Sequence, residues 1–230
     1  MILGFSIGLF VFTMLISIVA VARVKLLYAR YSKMPASSGY TGAEAAAHIL
    51  HAAGINDVSI ECADETLADH YDPTHKRLIL SRENYMGAST AALGIAAHEC
   101  GHAIQHKLAY APLHWRMAAV GAVTYANQVI LWLPLIGAFT GLIHGQMAAL
   151  IMAAAWGVIM LFNLVTLPVE FDASRRAKVI LGKMNFITAG EEEKAVKKVL
   201  DAAALTYVAA FVTSLLYFAW HILRALSDRR

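Results

Sequence analysis

Five consecutive residues, His98-Glu99-Cys100-Gly101-His102, have the types and spacing needed for metal-assisted hydrolysis. On a helix, residues four apart lie on one face, about 6 Å apart along the axis. Two imidazoles placed in this way can bind one zinc ion through Zn–N bonds of about 2.0–2.1 Å. Glu99 lies next to the first histidine, where it can accept a proton from a zinc-activated water. The pattern therefore predicts Zn²⁺ as cofactor, His98 and His102 as ligands, and Glu99 as catalytic base.

A catalytic zinc site with two histidines needs one more protein ligand and an open position. His106 continues the histidine stripe, but it lies eight residues after His98, about 12 Å along a straight helix. One zinc ion cannot reach both ends of that span. The longer pattern H-E-x-x-H-x-x-G-x-x-H needs Gly and His where this chain has Gln105 and Leu108. We therefore expect His106 to have a supporting or purely structural role.

Glu170 is the first acidic residue after Glu99 in the chain, and it follows a long apolar segment. Two histidines and a glutamate are a common catalytic zinc set, so Glu170 is the predicted third ligand. Asp172 is the alternative ligand, or it orients one of the ligand histidines. The adjacent Arg175 and Arg176 are interpreted as positive anchors beside a membrane span, or one of them stabilises an oxyanion.

The composition indicates that a membrane protein positions these residues. Of the 230 residues, 59% are hydrophobic and 15% are charged, whereas soluble domains carry about 25% charged residues. The mean hydropathy of +0.57 agrees with this interpretation. The net charge of +3 is too small to indicate a nucleic-acid partner.

Apolar segments long enough to span a bilayer occur four times in the sequence. They cover residues 2–22, 117–139, 147–167 and 202–223. The polar residues Asn127 and Asn163 fall inside the middle pair and are expected to face the interior of the helix bundle. Pro134 and Pro168 are expected to kink these spans or to mark their ends.

The polar region before the second span has the signals of a small α+β domain. Thr41 and Glu44 have the spacing of a capping box, which predicts a helix after Thr41. Residues 58–61 and Arg77–Ser81 are predicted strands of a hairpin or a looped strand pair. We interpret Arg77–Ser81 as a sheet edge that can accept a peptide as an added strand. His70 and Tyr71, in the connecting segment, either polarise a substrate carbonyl or belong to a structural turn.

The predicted organisation is mainly α and integral to the membrane, with about four transmembrane helices and a small zincin-like α+β domain. Its parts are an anchor with a basic flank (1–33), an α+β region (34–116), a transmembrane hairpin (117–168), a helical region with the third ligand (169–201), and a final span with a tail (202–230). Residues 23–116 contain nine Lys and Arg, residues 175–198 contain seven, and the tail contains three. Positive loops favour the cytoplasmic side, so the active site is predicted to face the cytoplasm of a multi-pass cell-membrane protein.

Three stretches of this chain resemble the YugP-type neutral zinc metallopeptidases, which are small bacterial membrane proteins. They are Asp69–Pro73, Ala96–His106 and Asn163–Ser174. The order of apolar spans also agrees, so the resemblance covers nearly the whole chain. The chain is more distantly similar to HtpX-like and prenyl-protein proteases, whose third ligand is a Glu just after a membrane span. Those families tend to have an acidic residue four positions after that Glu, where this chain has Ser174.

The resemblance and the motif together predict a membrane-bound zinc metalloendopeptidase. Its expected substrate is a protein or peptide at or near the lipid bilayer, hydrolysed by zinc-activated water with Glu99 as general base. The alternatives are a zinc-binding membrane scaffold without proteolytic activity and a transporter. A transporter is disfavoured because few ionisable groups lie in the middle of the spans and no pair of interrupted spans repeats. The sequence does not specify an oligomeric state.

Overall fold

The computed structural model describes residues 2–65, 68–141 and 145–227, and this part of the chain is mainly helical with one small sheet. Its elements, in chain order, are α1 (Ile2–Tyr31), α2 (Gly42–Ala52), β1 (Ser59–Ala63), β2 (His70–Asp72), β3 (Arg77–Ser81), α3 (Arg82–Met86), α4 (Thr90–Lys107), α5 (Ala111–Thr140), α6 (Gly145–Lys183) and α7 (Glu191–Ser227). The prediction of a mainly α protein with a small α+β part is confirmed.

Among the described residues, α1, α5, α6 and α7 are long and apolar enough to cross a membrane, which confirms the predicted number of spans. The helices continue well beyond the predicted apolar segments. α6 runs through Pro168 to Lys183, so this proline does not end the helix. The charged residues after Glu191 and the last apolar segment likewise form the single helix α7.

The chain divides into two compact units, which we call the apolar unit and the sheet unit. The apolar unit contains Met1–Ile18, His114–Pro168 and Tyr207–Arg230, and the sheet unit contains Val19–Leu113 and Val169–Thr206. Four helices, α1, α5, α6 and α7, contribute residues to both units.

In the apolar unit, a polar contact and an aromatic stack join α6 to α7. The Nδ2 atom of Asn163 donates hydrogen bonds to the Ala210 carbonyl (3.2 Å) and to Ser214 Oγ (3.1 Å). Trp156 stacks on Tyr217 with ring centroids 4.4 Å apart. An amide group within a membrane span needs such partners, and interhelical bonds of this kind help to fix helix packing.

The prediction for Asn127 is wrong, because its side chain is exposed on α5. The buried residue at this level of the helix is Ala126. One residue along a helix corresponds to a rotation of about 100°, so Asn127 points away from the face that Ala126 buries.

The sheet unit contains a mixed sheet in the order β1-β3-β2. β1 pairs with β3 in parallel, from Ser59 opposite Arg77 to Ala63 opposite Ser81, so these strands are not a hairpin. β2 pairs antiparallel with the other side of β3. The predicted edge, Arg77–Ser81, is therefore the central strand. The prediction is wrong because the segment read as a turn contains β2, which covers one side of β3.

The N-terminal ends of α2 and α4 are capped by side chains of the types that favour helix starts. Thr41 and Glu44 form the predicted capping box of α2, with both reciprocal hydrogen bonds present. Ser89 caps α4 by accepting a hydrogen bond from the Ala92 N–H at 3.2 Å. The core of the sheet unit packs α2, the sheet, α4 and the end of α6 together through buried side chains such as Ile49, Leu78, Leu93 and Leu181.

Candidate metal centre

The histidine helix of the motif, α4, extends from Thr90 to Lys107 and belongs entirely to the sheet unit. One side of this helix is built from small and apolar residues that enter the core, including Leu93, Ala96, Ala97, Cys100 and Ala103. Burial of this face fixes the rotation of α4 about its axis. The motif residues therefore lie on a rigid element with a defined orientation.

Gly101 allows α4 to approach α6 closely. A Cβ atom at this position would lie 2.8 Å from the Ala173 carbonyl oxygen and 3.1 Å from its Cα. Both contacts are with backbone, which cannot rotate away as a side chain can. Because Glu170 precedes Ala173 by three residues on α6, both residues lie on the same helical face. Because position 101 has no side chain, the face of α6 that carries Glu170 can pack directly against the motif residues of α4.

The structure brings together His98, His102 and Glu170. The Oε2 atom of Glu170 lies 3.3 Å from His98 Nε2 and 3.7 Å from His102 Nε2. One ligand atom from each of the three residues lies within 4.8 Å of the other two. The Glu170 side chain is almost fully buried, at 2% exposure, and both histidine side chains are mostly buried.

The donor set and its spacing fit zinc. A tetrahedral ion with bonds of about 2.0–2.1 Å holds its ligand atoms roughly 3.3–3.4 Å apart, close to the two measured separations. Two imidazole nitrogens and one carboxylate oxygen also form a typical catalytic zinc set, which leaves one position open. His98, His102 and Glu170 are therefore the residues that could hold the ion.

Each histidine has its second ring nitrogen engaged with a neighbouring side chain. His98 Nδ1 lies 3.1 Å from Ser174 Oγ, and His102 Nδ1 lies 3.1 Å from Gln105 Oε1. Ser174 stands where the HtpX-like families tend to have an acidic residue. Such partners orient a ligand imidazole and leave Nε2 directed at the metal position.

Asp172 does not join the three-residue group. Its carboxylate accepts hydrogen bonds from Arg176 Nε at 2.6 Å, from Gln105 Nε2 at 3.0 Å, and from Arg175. It therefore touches neither histidine directly, although it holds the amide that contacts His102. Arg175 and Arg176 both pair with this carboxylate.

Glu99 follows the first histidine on α4 and is 8% exposed. Within the described residues, its carboxylate has no hydrogen bond or ion pair that would hold it away from a substrate. Burial by itself would lower the pKa of His102, but the hydrogen bond with Glu170 and the negative charges of Glu99 and Glu170 outweigh burial. The pKa of His102 is therefore raised in the metal-free chain. The local field favours positive charge, as a cation site requires.

His106 and Tyr71 form a separate pair. Burial and the charges of Asp57 and Asp72 raise the pKa of Tyr71, so its hydroxyl stays protonated. This hydroxyl lies within hydrogen-bond distance of His106 Nδ1, at 2.9 Å. Both residues line a cavity of about 640 Å³ beside the end of α4. His106 is not part of the three-residue group.

His70 and Cys100 also lie outside the three-residue group. His70 is exposed, and its Nδ1 lies 2.6 Å from the Ala68 carbonyl oxygen. Cys100 is fully buried in the core, and burial raises the pKa of its thiol far above the usual range. Such a thiol is an inert packing group, not a nucleophile or a metal ligand.

The sequence analysis gave no role to Gly101, treated Gln105 only as an argument against another motif, and did not assign Asp69. Asp69 anchors the segment before β2, because it accepts bonds from the Ser81 N–H and hydroxyl and from Asn84 Nδ2. A glycine between the two histidines and an amide three residues after His102 were the available signals. Their partners on α6 were not visible in the sequence.

Comparison with known proteins agrees with zinc as the cofactor. The family described as "Putative neutral zinc metallopeptidase" matches residues 6–226. The chain is also 45% identical, over 193 residues, to a Bacillus subtilis (strain 168) protein named "Putative membrane protease YugP". The aligned region covers 84% of each chain. No solved structure matches the chain.

Proposed function

The chain belongs to this neutral zinc metallopeptidase family, and on that premise we propose that it is a membrane-bound zinc endopeptidase. The proposal assigns His98, His102 and Glu170 as the ligands of the family's zinc ion and Glu99 as the general base. One observation carries it: the Nε2 atoms of both histidines lie within 3.7 Å of Glu170 Oε2, and Glu99 follows the first histidine on α4.

When bound, zinc supplies Lewis-acid chemistry that makes a water molecule more acidic and polarises a carbonyl group. Glu99 accepts a proton from the attacking water as its oxygen forms a bond to the peptide carbonyl carbon. The C–N bond then breaks, and Glu99 returns the proton to the departing amine. Water supplies both the new carboxyl oxygen and the proton, so the reaction needs no other reactant.

We propose that the substrate binds as a strand along β2. This strand pairs with β3 on one side, and no other strand of the described residues pairs with its second side. Tyr71 of β2 is hydrogen-bonded to His106 of α4, so this strand contacts the helix that carries the motif. Backbone hydrogen bonds to an open strand would hold an extended peptide with little dependence on its sequence.

The proposed substrates are membrane proteins or proteins close to the membrane, and the proposed location is the cell membrane with the site facing the cytoplasm. The support is that all four apolar helices, α1, α5, α6 and α7, also contribute residues to the sheet unit. The positively charged segments 23–116 and 175–198 favour the cytoplasmic side.

The deciding experiment compares Glu99→Gln with wild type and with Glu193→Gln, a control at an exposed glutamate. Purified proteins in lipid nanodiscs are incubated with a membrane-protein extract, and new N-termini are identified by mass spectrometry. We expect Glu99→Gln to retain zinc and to cleave about 10²–10⁴-fold more slowly, since proton transfer by a side chain contributes this much. Equal cleavage by wild type and Glu99→Gln would overturn the enzyme assignment and leave the zinc-binding scaffold.

The ligand assignment is tested by metal analysis of Glu170→Ala beside Asp172→Ala. We expect Glu170→Ala to lose zinc and Asp172→Ala to retain it with lower affinity. Loss of zinc only in the Asp172 variant would show that the wrong carboxylate has been assigned.

A further inference from the structure

We infer that Gln105 is a positioning residue that sets the tautomer of His102, an inference that rests on the proposed function. Gln105 is completely buried on α4. It follows His102 by three residues, so both side chains lie on neighbouring positions of the same helical face. Its amide group is the only described side-chain partner of His102 Nδ1.

The orientation of the Gln105 amide is determined by its partners. Its Nε2 atom donates to the Val169 carbonyl oxygen at 2.8 Å and to Asp172 Oδ2 at 3.0 Å. A peptide carbonyl and an ionised carboxylate can only accept hydrogen bonds, so the NH₂ end of the amide must face α6. The Oε1 end must therefore face His102.

This orientation dictates the protonation of the imidazole. An amide oxygen can only accept, so at a separation of 3.1 Å it requires a proton on His102 Nδ1. A neutral imidazole carries one proton, and with Nδ1 protonated its lone pair is at Nε2. The Nε2 atom is the one that lies 3.7 Å from Glu170 Oε2. Gln105 therefore presents His102 in the single form that can bind a metal at this point.

Asp172 acts on His102 indirectly, through Gln105. Its carboxylate holds the Gln105 NH₂ group and is itself held by Arg176 and Arg175. The chain from arginine to carboxylate to amide to imidazole replaces the direct carboxylate–histidine contact of many zinc sites. An amide in this position orients the ring without placing a second negative charge beside the zinc ligands.

Two substitutions separate this role from simple bridging between α4 and α6. Gln105→Glu keeps an acceptor toward His102 but loses the donors toward Val169 and Asp172. Gln105→Met keeps a similar side-chain volume and removes the acceptor as well as the donors. Gln128→Met, at an exposed glutamine of α5, is the control for the same chemical change elsewhere.

For each variant, zinc affinity is measured by chelator competition and the thermal midpoint is measured after zinc removal. We expect Gln105→Met to bind zinc about 10–100-fold more weakly than wild type. Gln105→Glu should stay within about 10-fold of wild type, although both variants unfold at a lower temperature without zinc. In ¹⁵N-histidine NMR of the zinc-loaded proteins, the His102 Nδ1–H signal should persist in the Glu variant and be altered in the Met variant.

Equal loss of zinc affinity in the two variants, or wild-type affinity in Gln105→Met, would overturn the inference. Failure of the proposed function has a different signature. In that case His98→Ala would retain zinc, or Glu99→Gln would cleave as fast as wild type, whatever the Gln105 variants do.

Discussion

A substitution of Gly101 tests whether the close approach of α4 and α6 builds the metal centre. In Gly101→Ala, the new Cβ would lie 2.8 Å from the Ala173 carbonyl oxygen, whereas ordinary contact begins at 3.4 Å. The helices must therefore separate by roughly 0.6 Å, the difference between these two distances, because the obstructing atoms belong to backbone. Metal–ligand distances tolerate only about 0.2 Å, so Glu170, on the same face of α6 as Ala173, would be drawn out of position.

The stability cost of Gly101→Ala is best measured against the same substitution at Gly94, a second glycine of α4. A Cβ atom at Gly94 would meet the side chain of Val196 at 3.4–3.9 Å, which is ordinary contact. Both substitutions gain the same helix propensity, about 1 kcal/mol, so this term cancels when the two variants are compared. The remaining cost is that of overpacking, typically about 1–3 kcal/mol. For a chain of this size, that difference lowers the thermal midpoint by roughly 2–12 °C.

The assay follows unfolding of the two variants in detergent by intrinsic fluorescence, with and without zinc, and measures zinc affinity by chelator competition. Gly94→Ala should unfold at or above the wild-type temperature with wild-type zinc affinity. Gly101→Ala should unfold below the Gly94 variant and bind zinc at least about 10-fold more weakly. The reasoning is refuted if the two variants match in both measurements.

Four further outcomes are expected. Zinc affinity should fall as pH falls through the raised pKa of His102, because protons compete with zinc for its ring nitrogen. Since that pKa is raised, the loss of affinity begins above the usual histidine range near 6.5. A zinc affinity that does not change from pH 5 to 8 would contradict this expectation. The same raised pKa stabilises the metal-free fold at pH values below about 6.5, and this stabilisation is lost as pH rises through the folded-state value. Ser174→Ala should weaken zinc binding about 10-fold by releasing the His98 ring, as measured by chelator competition, and an unchanged affinity would remove the orienting role of Ser174. Asp69→Ala should lower the free energy of unfolding, measured by denaturant titration, by about 1–3 kcal/mol because the donors of Ser81 and Asn84 lose their acceptor. Asp64→Ala removes an exposed ion pair and should change the same free energy by less than about 1 kcal/mol. Equal effects of the two substitutions would refute the anchoring role of Asp69.

The predictions that succeeded from sequence depend on short-range geometry. A helix places residues four apart on one face whatever surrounds it, so the pairing of His98 with His102 follows from spacing alone. The four apolar helices follow from length and hydropathy, and the capping box at Thr41 follows from a three-residue pattern. In each case, the determining interactions lie within a few residues of one another.

The features that required the tertiary structure depend on partners far apart in the chain. From the sequence, Glu170 was the predicted third ligand and Asp172 the alternative. The packing of α6 on Gly101 directs Glu170 toward the histidines and leaves Asp172 with two arginines and Gln105. The central position of β3 likewise depends on where β2 pairs. Such choices are decided by contacts between elements tens of residues apart, and no local spacing encodes them. The sequence by itself therefore determined two histidines on one helical face, a neighbouring glutamate and four apolar spans. Only the fold showed that the Glu170 carboxylate lies beside both histidines and that the Gln105 amide contacts His102, because these positions depend on the packing of α6 against α4.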